Sequence, residues 1–262
     1  MLRLATWNVN SIRIRLPLLA ELSKREVPDV ICLQEVKAKE DDFPFDKIRQ
    51  LGFENIALYS IPGYNGVAIL SKPPLSNINK YPHVGRDDAR HISAVIDDKF
   101  EVHNIYVPAG GDVPDAKNNP SFAYKLDFVD EATEFFSNKG IKPRLLCGDF
   151  NIAPSENDVW NHKALMQIVS HTPIEVEKLN RFFKKGKFFD AVRKIYPESE
   201  KIYSWWSYRN LNWQTNNKGR RLDHIWIDNE LSSAVVGTKI CKYFRAKERP
   251  SDHVPVIVEL KI

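Results

Sequence analysis

Several side chains that could bind a metal ion or a phosphate group stand at the ends of short apolar segments in this sequence. Such segments, bounded by glycine, proline or polar residues, predict buried strands. Loops at one end of a sheet are where functional sites usually form. The polar residues at these strand boundaries are Asn8, Asn10, Glu35, Tyr106, Asp149, Asn151, Asp223, Asp252 and His253. If the boundaries converge, they form a pocket that holds carboxylates, amides, a phenol and an imidazole.

The segment from Arg144 to Asn151 shows this pattern most clearly. Its apolar run lies between Pro143 and Gly148, and Asp149 and Asn151 follow two residues apart. Side chains alternate along an extended chain, so both would point the same way. The same residues could instead form an Asx-turn, in which a side chain hydrogen-bonds its own backbone. On this segment alone the two interpretations stay open.

The chemistry of these residues suits a hard cation such as Mg²⁺, which takes oxygen ligands and keeps several waters. Glu35 and Asp252 are the leading ligand candidates. The set has no thiolate and few imidazoles, which argues against zinc or copper. We expect Asp149 to activate a water molecule and His253 to contact a phosphoryl oxygen.

The remaining polar residues fit supporting roles. Asn151 could donate to the charge that develops on the phosphoryl oxygens, and Asp223 would orient His253 and favour its protonated form. Each residue also has a purely structural explanation: Glu35 as a solvated strand end, or Tyr106 as a packing residue. A functional site accounts for all of the strand ends at once.

The surrounding pattern predicts a mixed α/β protein in which helices cover the sheets. The strand predicted from Phe100 follows Asp97 too closely for a parallel crossover, so a purely parallel sheet is disfavoured. No linker, repeat or low-complexity segment divides the chain, and we predict one domain over residues 1–262. Predicted strands cover residues 2–7, 29–33, 55–61, 66–71, 92–97, 100–107, 144–147, 222–228 and 254–260, and predicted helices cover 16–25, 119–138 and 175–185.

Bulk composition adds weaker constraints. Hydrophobic residues make up 43% and charged residues 27% of the 262 residues, which is ordinary for a globular protein with a sizeable core. The net charge of +4 is compatible with a polyanionic partner. Cys32, Cys147 and Cys241 match no zinc spacing and are expected to be buried in a reducing compartment. Without a signal-peptide pattern or a long apolar stretch, the expectation is a cytoplasmic protein with no membrane partner.

Taken together, the motifs resemble those of the exonuclease III family of apurinic/apyrimidinic endonucleases. They occur in the order of that family and span nearly the whole chain. The matching segments are Trp7-Asn8-Val9-Asn10-Ser11-Ile12-Arg13, Leu33-Gln34-Glu35-Val36-Lys37, Gly63-Tyr64-Asn65-Gly66-Val67-Ala68, Asn104-Ile105-Tyr106-Val107-Pro108, Gly148-Asp149-Phe150-Asn151, Tyr203-Ser204-Trp205-Trp206-Ser207-Tyr208-Arg209, Arg221-Leu222-Asp223 and Ser251-Asp252-His253-Val254-Pro255.

The resemblance implies a four-layer α/β sandwich of two mixed sheets flanked by helices. It also implies a Mg²⁺- or Mn²⁺-dependent phosphodiesterase that cuts DNA 5′ to abasic sites and trims 3′ ends. The expected partner is double-stranded DNA, bound by a monomer. The implied metal site comprises Asn8, Glu35, Asp149, Asn151 and Asp252, the implied catalytic residues are Tyr106, Asp149, Asn151, Asp223 and His253, and the implied DNA contacts are Arg90, Lys125, Trp205 and Leu222.

The sequence departs from the family pattern at Ala109, Ala89 and Arg220, which bears on how the pocket selects its substrate. Basic clusters at 184–187, 218–221 and 245–249 suggest contacts with a phosphate backbone, and the second is predicted to lie near several tryptophans. Two alternatives remain at this stage. One is a phosphodiesterase or phosphatase of the same fold that acts on a small or lipid phosphoester, and the other is a DNA-binding module without catalysis.

Overall fold

Two six-stranded mixed sheets form the framework of the protein. The computed structural model describes residues 1–138 and 140–262, and within these ranges the sheet orders are β11-β12-β1-β2-β4-β3 and β5-β6-β7-β8-β10-β9. The strands are β1 (Leu2–Asn8), β2 (Val30–Gln34), β3 (Asn55–Tyr59), β4 (Val67–Ser71), β5 (Leu75–Lys80), β6 (His91–Ile96), β7 (Phe100–Tyr106), β8 (Arg144–Asp149), β9 (Phe188–Asp190), β10 (Asp223–Asp228), β11 (Val235–Ile240) and β12 (Val256–Leu260).

Helices cover the outer face of each sheet. Leu18, Leu19 and Leu22 of the first helix pack on the sheet that contains β1, whereas Phe128 and Phe182 of two later helices pack on the other sheet. The predicted four-layer α/β sandwich is therefore confirmed. The α-helices of the described residues are α1 (Ile12–Glu26), α2 (Phe45–Arg49), α3 (Pro120–Ser137), α4 (His162–Leu165), α5 (Pro173–Lys185) and α6 (Trp213–Asn216), and short 3₁₀ segments lie at Glu40–Asp42, Glu156–Asp158, Asn229–Ala234 and Lys242–Ala246.

The two sheets bury their inner faces against each other. Leu2 and Leu4 of β1 belong to the central apolar cluster, together with Leu145 and Cys147 of β8. Because side chains alternate along a strand, Asn8 continues the inward row of β1. The same alternation continues the inward row of β8 to Asp149, and the strand pattern thereby aims both polar side chains at the gap between the sheets.

Strand register brings the predicted site residues to one edge of the sandwich. β1 and β2 run parallel and end together at the Asn8–Gln34 pair. β7 and β8 also run parallel and end at the Tyr106–Asp149 pair. β10 runs antiparallel to β8 and begins at Asp223, opposite Asp149. The strand boundaries that the sequence singled out therefore meet at a single place.

The structure extends the predicted set of elements. α1 begins at Ile12 and not at Leu16, and β5, β9 and β11 are strands that the sequence pattern did not predict. The three cysteines are buried and free, as expected. In the ranges that the structure describes, no helix is both long and apolar enough to cross a membrane.

Candidate active site

Asp149 lies at the centre of the site and is fully buried at the end of β8. Its Oδ1 accepts a hydrogen bond from the Asn151 main-chain N–H at 2.9 Å, which is the Asx-type turn considered above. Its Oδ2 accepts from the Asn8 amide at 2.9 Å and from the Asn151 amide at 3.2 Å. The Asx-turn and the site are thus the same structure, and the turn fixes the direction of the carboxylate.

His253 lies between two carboxylates. Its Nδ1 is 2.9 Å from Asp223 Oδ2, and its Nε2 is 3.5 Å from Asp149 Oδ2. Burial alone would lower the pKa of His253, but the charges of Asp223 and Asp149 outweigh it and raise the pKa to about 10. The imidazole is therefore protonated at neutral pH.

The pKa of the Asp149 carboxyl is also raised, but here burial is the main cause. Its burial raises its pKa, the His253 charge opposes that rise, and the nearby Asp223 charge adds to it, so that the pKa reaches about 7. A carboxyl that titrates near neutral pH can accept a proton from water more readily than an ordinary aspartate can. The geometry and the pKa both fit a general base.

Glu35 is held by donors on several sides. Its Oε1 accepts from the Asn8 amide at 2.9 Å and from the Tyr106 hydroxyl at 2.7 Å, and its Oε2 lies 2.7 Å from Lys37 Nζ. Burial alone would raise the pKa of Glu35, but these hydrogen bonds and the Lys37 charge outweigh it and lower the pKa. Glu35 is therefore ionised, while burial and the neighbouring carboxylates raise the pKa of the Tyr106 phenol and keep it protonated.

Asp252 lies at the mouth of the site. Its Oδ2 accepts from the Trp205 indole N–H at 3.0 Å, and its Oδ1 accepts from the Asn10 amide at 3.3 Å. Asn10 Oδ1 in turn accepts from Lys37 Nζ at 2.7 Å. Sequence reasoning did not assign a role to Lys37, although its position two residues after Glu35 was the signal that could have revealed it.

Two groups of residues could hold a metal ion. Asp149, Asp223 and His253 offer ligand atoms within 4.8 Å of one another. However, a protonated His253 has no free lone pair for a metal, so this group is better explained as a hydrogen-bonded chain. Glu35 and Asp252 offer carboxylate oxygens on the other side, where a cationic Lys37 ammonium already contacts Glu35.

This second group fits a hard divalent cation, because its donors are oxygens and it already accommodates positive charge. Asn8 lies beside this group. Its amide NH₂ donates to both Glu35 and Asp149, and its oxygen accepts from the Asn10 N–H at 3.0 Å. The Asn151 NH₂ likewise donates to Val107 O at 2.9 Å and to Asp149. In this structure both amides orient the carboxylates through their NH₂ groups, and the ligand roles predicted for Asn8 and Asn151 stay predictions.

A pocket opens above these residues. Its walls include Leu222, which is buried, and Trp205, which is partly exposed. The Arg220 guanidinium lies 5.2 Å from the centre of the Trp205 ring and donates to Val169 O at 2.9 Å. Arg220, one of the departures from the family pattern, therefore forms part of the wall and also fixes it in place.

Arg90 lies behind Tyr106. Its guanidinium carbon is 4.6 Å from the centre of the Tyr106 ring, and Nε donates to Asp88 at 2.6 Å. Lys125 is fully buried, with its Nζ 2.5 Å from Glu175 Oε1. The ammonium has no exposed surface in this arrangement, so the predicted contact of Lys125 with DNA would require it to leave this ion pair.

Two mixed sheets with carboxylates, amides and a protonated imidazole at one edge define a class of α/β enzymes that hydrolyse phosphoesters. The chain belongs to the Endonuclease/Exonuclease/phosphatase family, which matches residues 5–253. It is similar to an exodeoxyribonuclease III from Haemophilus influenzae, with 30% identity over 273 residues that cover 99% of this chain and 100% of the relative.

Solved structures agree with this membership. An AP endonuclease from Archaeoglobus fulgidus matches with a TM-score of 0.92 and 29% identity over 100% of both chains. A 3′ phosphatase from Neisseria bound to a product DNA hairpin matches with a TM-score of 0.91 and 28% identity, also over 100% of both chains. The similar structures thus include a protein described as an AP endonuclease and one described as a 3′ phosphatase.

Proposed function

We propose that the protein is a DNA repair nuclease that hydrolyses the phosphodiester bond 5′ to an abasic site and also trims 3′ ends. The observation that carries this proposal is the Asp149 carboxylate, buried between the Asn8 and Asn151 amides and facing His253 below an aromatic-walled pocket. The names of the relatives, an exodeoxyribonuclease III, an AP endonuclease and a 3′ phosphatase, support both activities.

In the proposed reaction Asp149 takes a proton from a water molecule, and the water oxygen attacks phosphorus as the bond to the 3′ oxygen breaks. The departing 3′ oxygen takes up a proton from solvent and leaves as a hydroxyl group. The protonated His253 donates to a phosphoryl oxygen, where negative charge increases in the transition state. Tyr106 keeps its proton and can donate to the same phosphate by giving up its hydrogen bond to Glu35. The Asn151 amide fixes Asp149 and can reach the phosphate only by giving up one of its present hydrogen bonds.

A divalent cation, Mg²⁺ or Mn²⁺, is proposed at Glu35 and Asp252, with Asp149 close by. When bound, the ion polarises the phosphoryl group and neutralises its charge. Glu35 is already ionised and so needs no deprotonation to bind it. The Lys37 ammonium, which contacts Glu35 and Asn10, is expected to move aside or remain as a neighbouring positive charge.

The pocket wall favours a sugar without a base. Trp205 and Leu222 present apolar surface beside the reactive groups, and a deoxyribose that lacks its base could lie against them. Arg90, behind Tyr106, is proposed to support the phosphate site. We further propose that residues 1–262 form one catalytic domain that acts as a monomer in the cytoplasm.

A duplex with one abasic-site analogue tests this proposal. With Mg²⁺ the native protein is expected to cut the damaged strand immediately 5′ to the analogue, and excess EDTA is expected to abolish the cut. A second duplex, undamaged and with a recessed 3′ end, measures trimming. If neither duplex is cut in Mg²⁺ or Mn²⁺, the proposed function is wrong.

A further inference from the structure

A fully buried ion pair lies directly behind the active site. Lys125 on α3 and Glu175 in the first turn of α5 both have no exposed side-chain surface, and Nζ lies 2.5 Å from Oε1. Burying two charges is costly unless each is paired and hydrogen-bonded. The other hydrogen bonds of the two side chains offset this cost. They also show which segments of the chain the ion pair holds in place.

The Lys125 ammonium has its three hydrogens matched to three acceptors. Besides Glu175, it donates to the main-chain carbonyl of Asn151 at 2.8 Å and to that of Ala109 at 3.2 Å. An ammonium carries three donors and no acceptor, so its capacity is used in full. One of these carbonyls follows Asp149 by two residues, and the other belongs to the loop that lines the pocket.

The Glu175 carboxylate anchors a third segment. It accepts from the Ser170 N–H at 3.0 and 2.9 Å, and from the Thr172 N–H at 3.1 Å and hydroxyl at 2.7 Å. Ser170 lies in the pocket wall, and its hydroxyl also bonds the Arg220 guanidinium. The ion pair therefore connects the Asp149 turn, the Ala109 loop and the Ser170 turn, three segments from distant parts of the chain.

Two of these segments need outside support. Ser170 has a φ of 88°, which a non-glycine residue seldom adopts, and Asn151 has a φ of 51°, in the left-handed region where asparagine is the most tolerated residue after glycine. Such conformations persist when surrounding contacts over-determine them. At Asn151 the conformation also directs the main-chain N–H toward Asp149 Oδ1.

We propose that Lys125 and Glu175 are positioning residues for the hydrolysis described above. They act through the Asn151 main chain on the direction of Asp149, and through Ser170 and Arg220 on the pocket wall. This inference rests on the proposed function for its effect on rate, whereas its effect on the Asn151 turn is independent of any substrate. Neither residue contacts DNA.

The test compares Lys125→Met, Glu175→Gln, the double variant Lys125→Met/Glu175→Gln and a control, Lys178→Met. Lys178 on α5 pairs with Asp130 on α3 at 2.5 Å, so the control removes a lysine between the same two helices without touching the pocket. Each variant is assayed for its single-turnover cleavage rate on the abasic duplex and for its Kd for that duplex.

Lys125→Met is expected to lower the single-turnover rate by about 100-fold, since small misplacements of catalytic groups cost about this much. The Kd and its salt dependence should stay close to native values. The double variant should be no slower than Lys125→Met, because the two residues form one ion pair and their effects are not additive. Lys178→Met should cleave at the native rate. A native rate for folded Lys125→Met, or a loss confined to Kd with a changed salt dependence, would overturn the proposal.

Amide hydrogen exchange gives a readout that needs no substrate. Lys125→Met and Glu175→Gln are both expected to speed exchange of the Asn151 and Ser170 N–H groups by about tenfold or more, whereas Lys178→Met leaves them unchanged. If Lys125→Met does not fold, Glu175→Gln, which keeps the shape of the side chain, decides the matter. Unchanged exchange at Asn151 overturns the inference even if the native protein cuts neither duplex.

Discussion

The two carboxylate oxygens of Asp149 make different contacts. Oδ1 accepts the Asn151 N–H and closes the turn, while Oδ2 faces the Asn8 and Asn151 amides and the His253 ring. Because one oxygen is committed to the turn, the carboxylate cannot rotate freely. The other oxygen is therefore held in one direction, which is what a base for a single water molecule requires.

Replacing Asp223 tests whether its charge controls the pKa values of His253 and Asp149. The Asp223 charge raises the pKa of both His253 and Asp149, so Asp223→Asn should lower both. The pH profile of kcat/KM should therefore shift to lower pH on both limbs, by about 1–3 units on the alkaline side. An alkaline limb that stays in its native position would show that Asp223 does not control the protonation of His253.

At the scale of single residues, the sequence predicted which polar side chains lie together, but it did not predict which of them are buried in ion pairs. Asp149, Asp223 and His253 converge as their strand ends predicted, because register depends on the alternation of apolar residues. The burial of Lys125 was not predictable, because a lysine on an amphipathic helix is normally exposed. Only its partner Glu175, fifty residues later in the chain, explains its burial.

At the scale of elements, the pairing of β7 with β8 sets the site. Gly148 has a φ of 148°, and a Cβ built there would lie 1.8 Å from the Ile105 carbonyl oxygen. Any side chain at this position would force the two strands apart next to Asp149. The glycine before Asp149 is therefore required by the close approach of β7, a reason that the sequence alone does not show.

β10 contributes a histidine that limits stability in acid. His224 is fully buried, its Nε2 lies 2.9 Å from Ile152 O, and within the described part of the chain its Nδ1 has no hydrogen-bond partner. Burial and the Arg221 charge lower its pKa from 6.5 to about 4. The folded state thus binds this proton more weakly than the unfolded state does, and the stability due to neutral His224 is full above pH 6.5 and is lost as the pH falls toward 4.

The expected loss from His224 over this range is about 3 kcal/mol. Urea unfolding of the native protein and of His224→Phe at several pH values measures it, since the other titrating groups are common to both proteins. The free energy of unfolding of the native protein should fall relative to the variant between pH 6.5 and 4. Parallel curves for the two proteins would contradict this.

The elements that the sequence missed share a physical cause. β5 is largely exposed from Asn77 to Lys80 and carries no alternating apolar pattern, β9 has only three residues, and β11 is partly exposed with a bulge after Val235. All three are edge strands, each paired with a neighbour on one side only. The central strands were predictable because both of their faces are buried.

At the scale of the whole molecule, charge location matters more than the net charge of +4. Two of the arginines in the predicted basic clusters are buried: Arg221 pairs with Asp158 and Asp190, and Arg245 packs over Tyr208 and Trp213. They cannot serve as phosphate contacts. Arg209 is exposed and lines the pocket, whereas exposed Lys184 lines a separate groove beside Phe188.

The different positions of Arg209 and Lys184 predict that only Arg209 contributes to DNA binding. The Kd for the abasic duplex should weaken steeply with salt, because bound phosphates release counterions. Arg209→Gln should reduce the slope of log Kd against log salt by about 1, and Lys184→Gln, the matched control, should leave it unchanged. Equal effects of the two substitutions would mean that binding follows overall charge and not the pocket.

The central claim, that Asp149 activates the attacking water, is tested most directly by the single-turnover cleavage rate of Asp149→Asn on the abasic duplex in Mg²⁺. The amide keeps the shape of the side chain but cannot accept the proton, so we predict a rate at least about 1,000-fold below native, within the 10²–10⁴-fold range for general bases. Duplex affinity should stay within a few-fold of native. A cleavage rate within a few-fold of the native rate in the folded variant would contradict the claim.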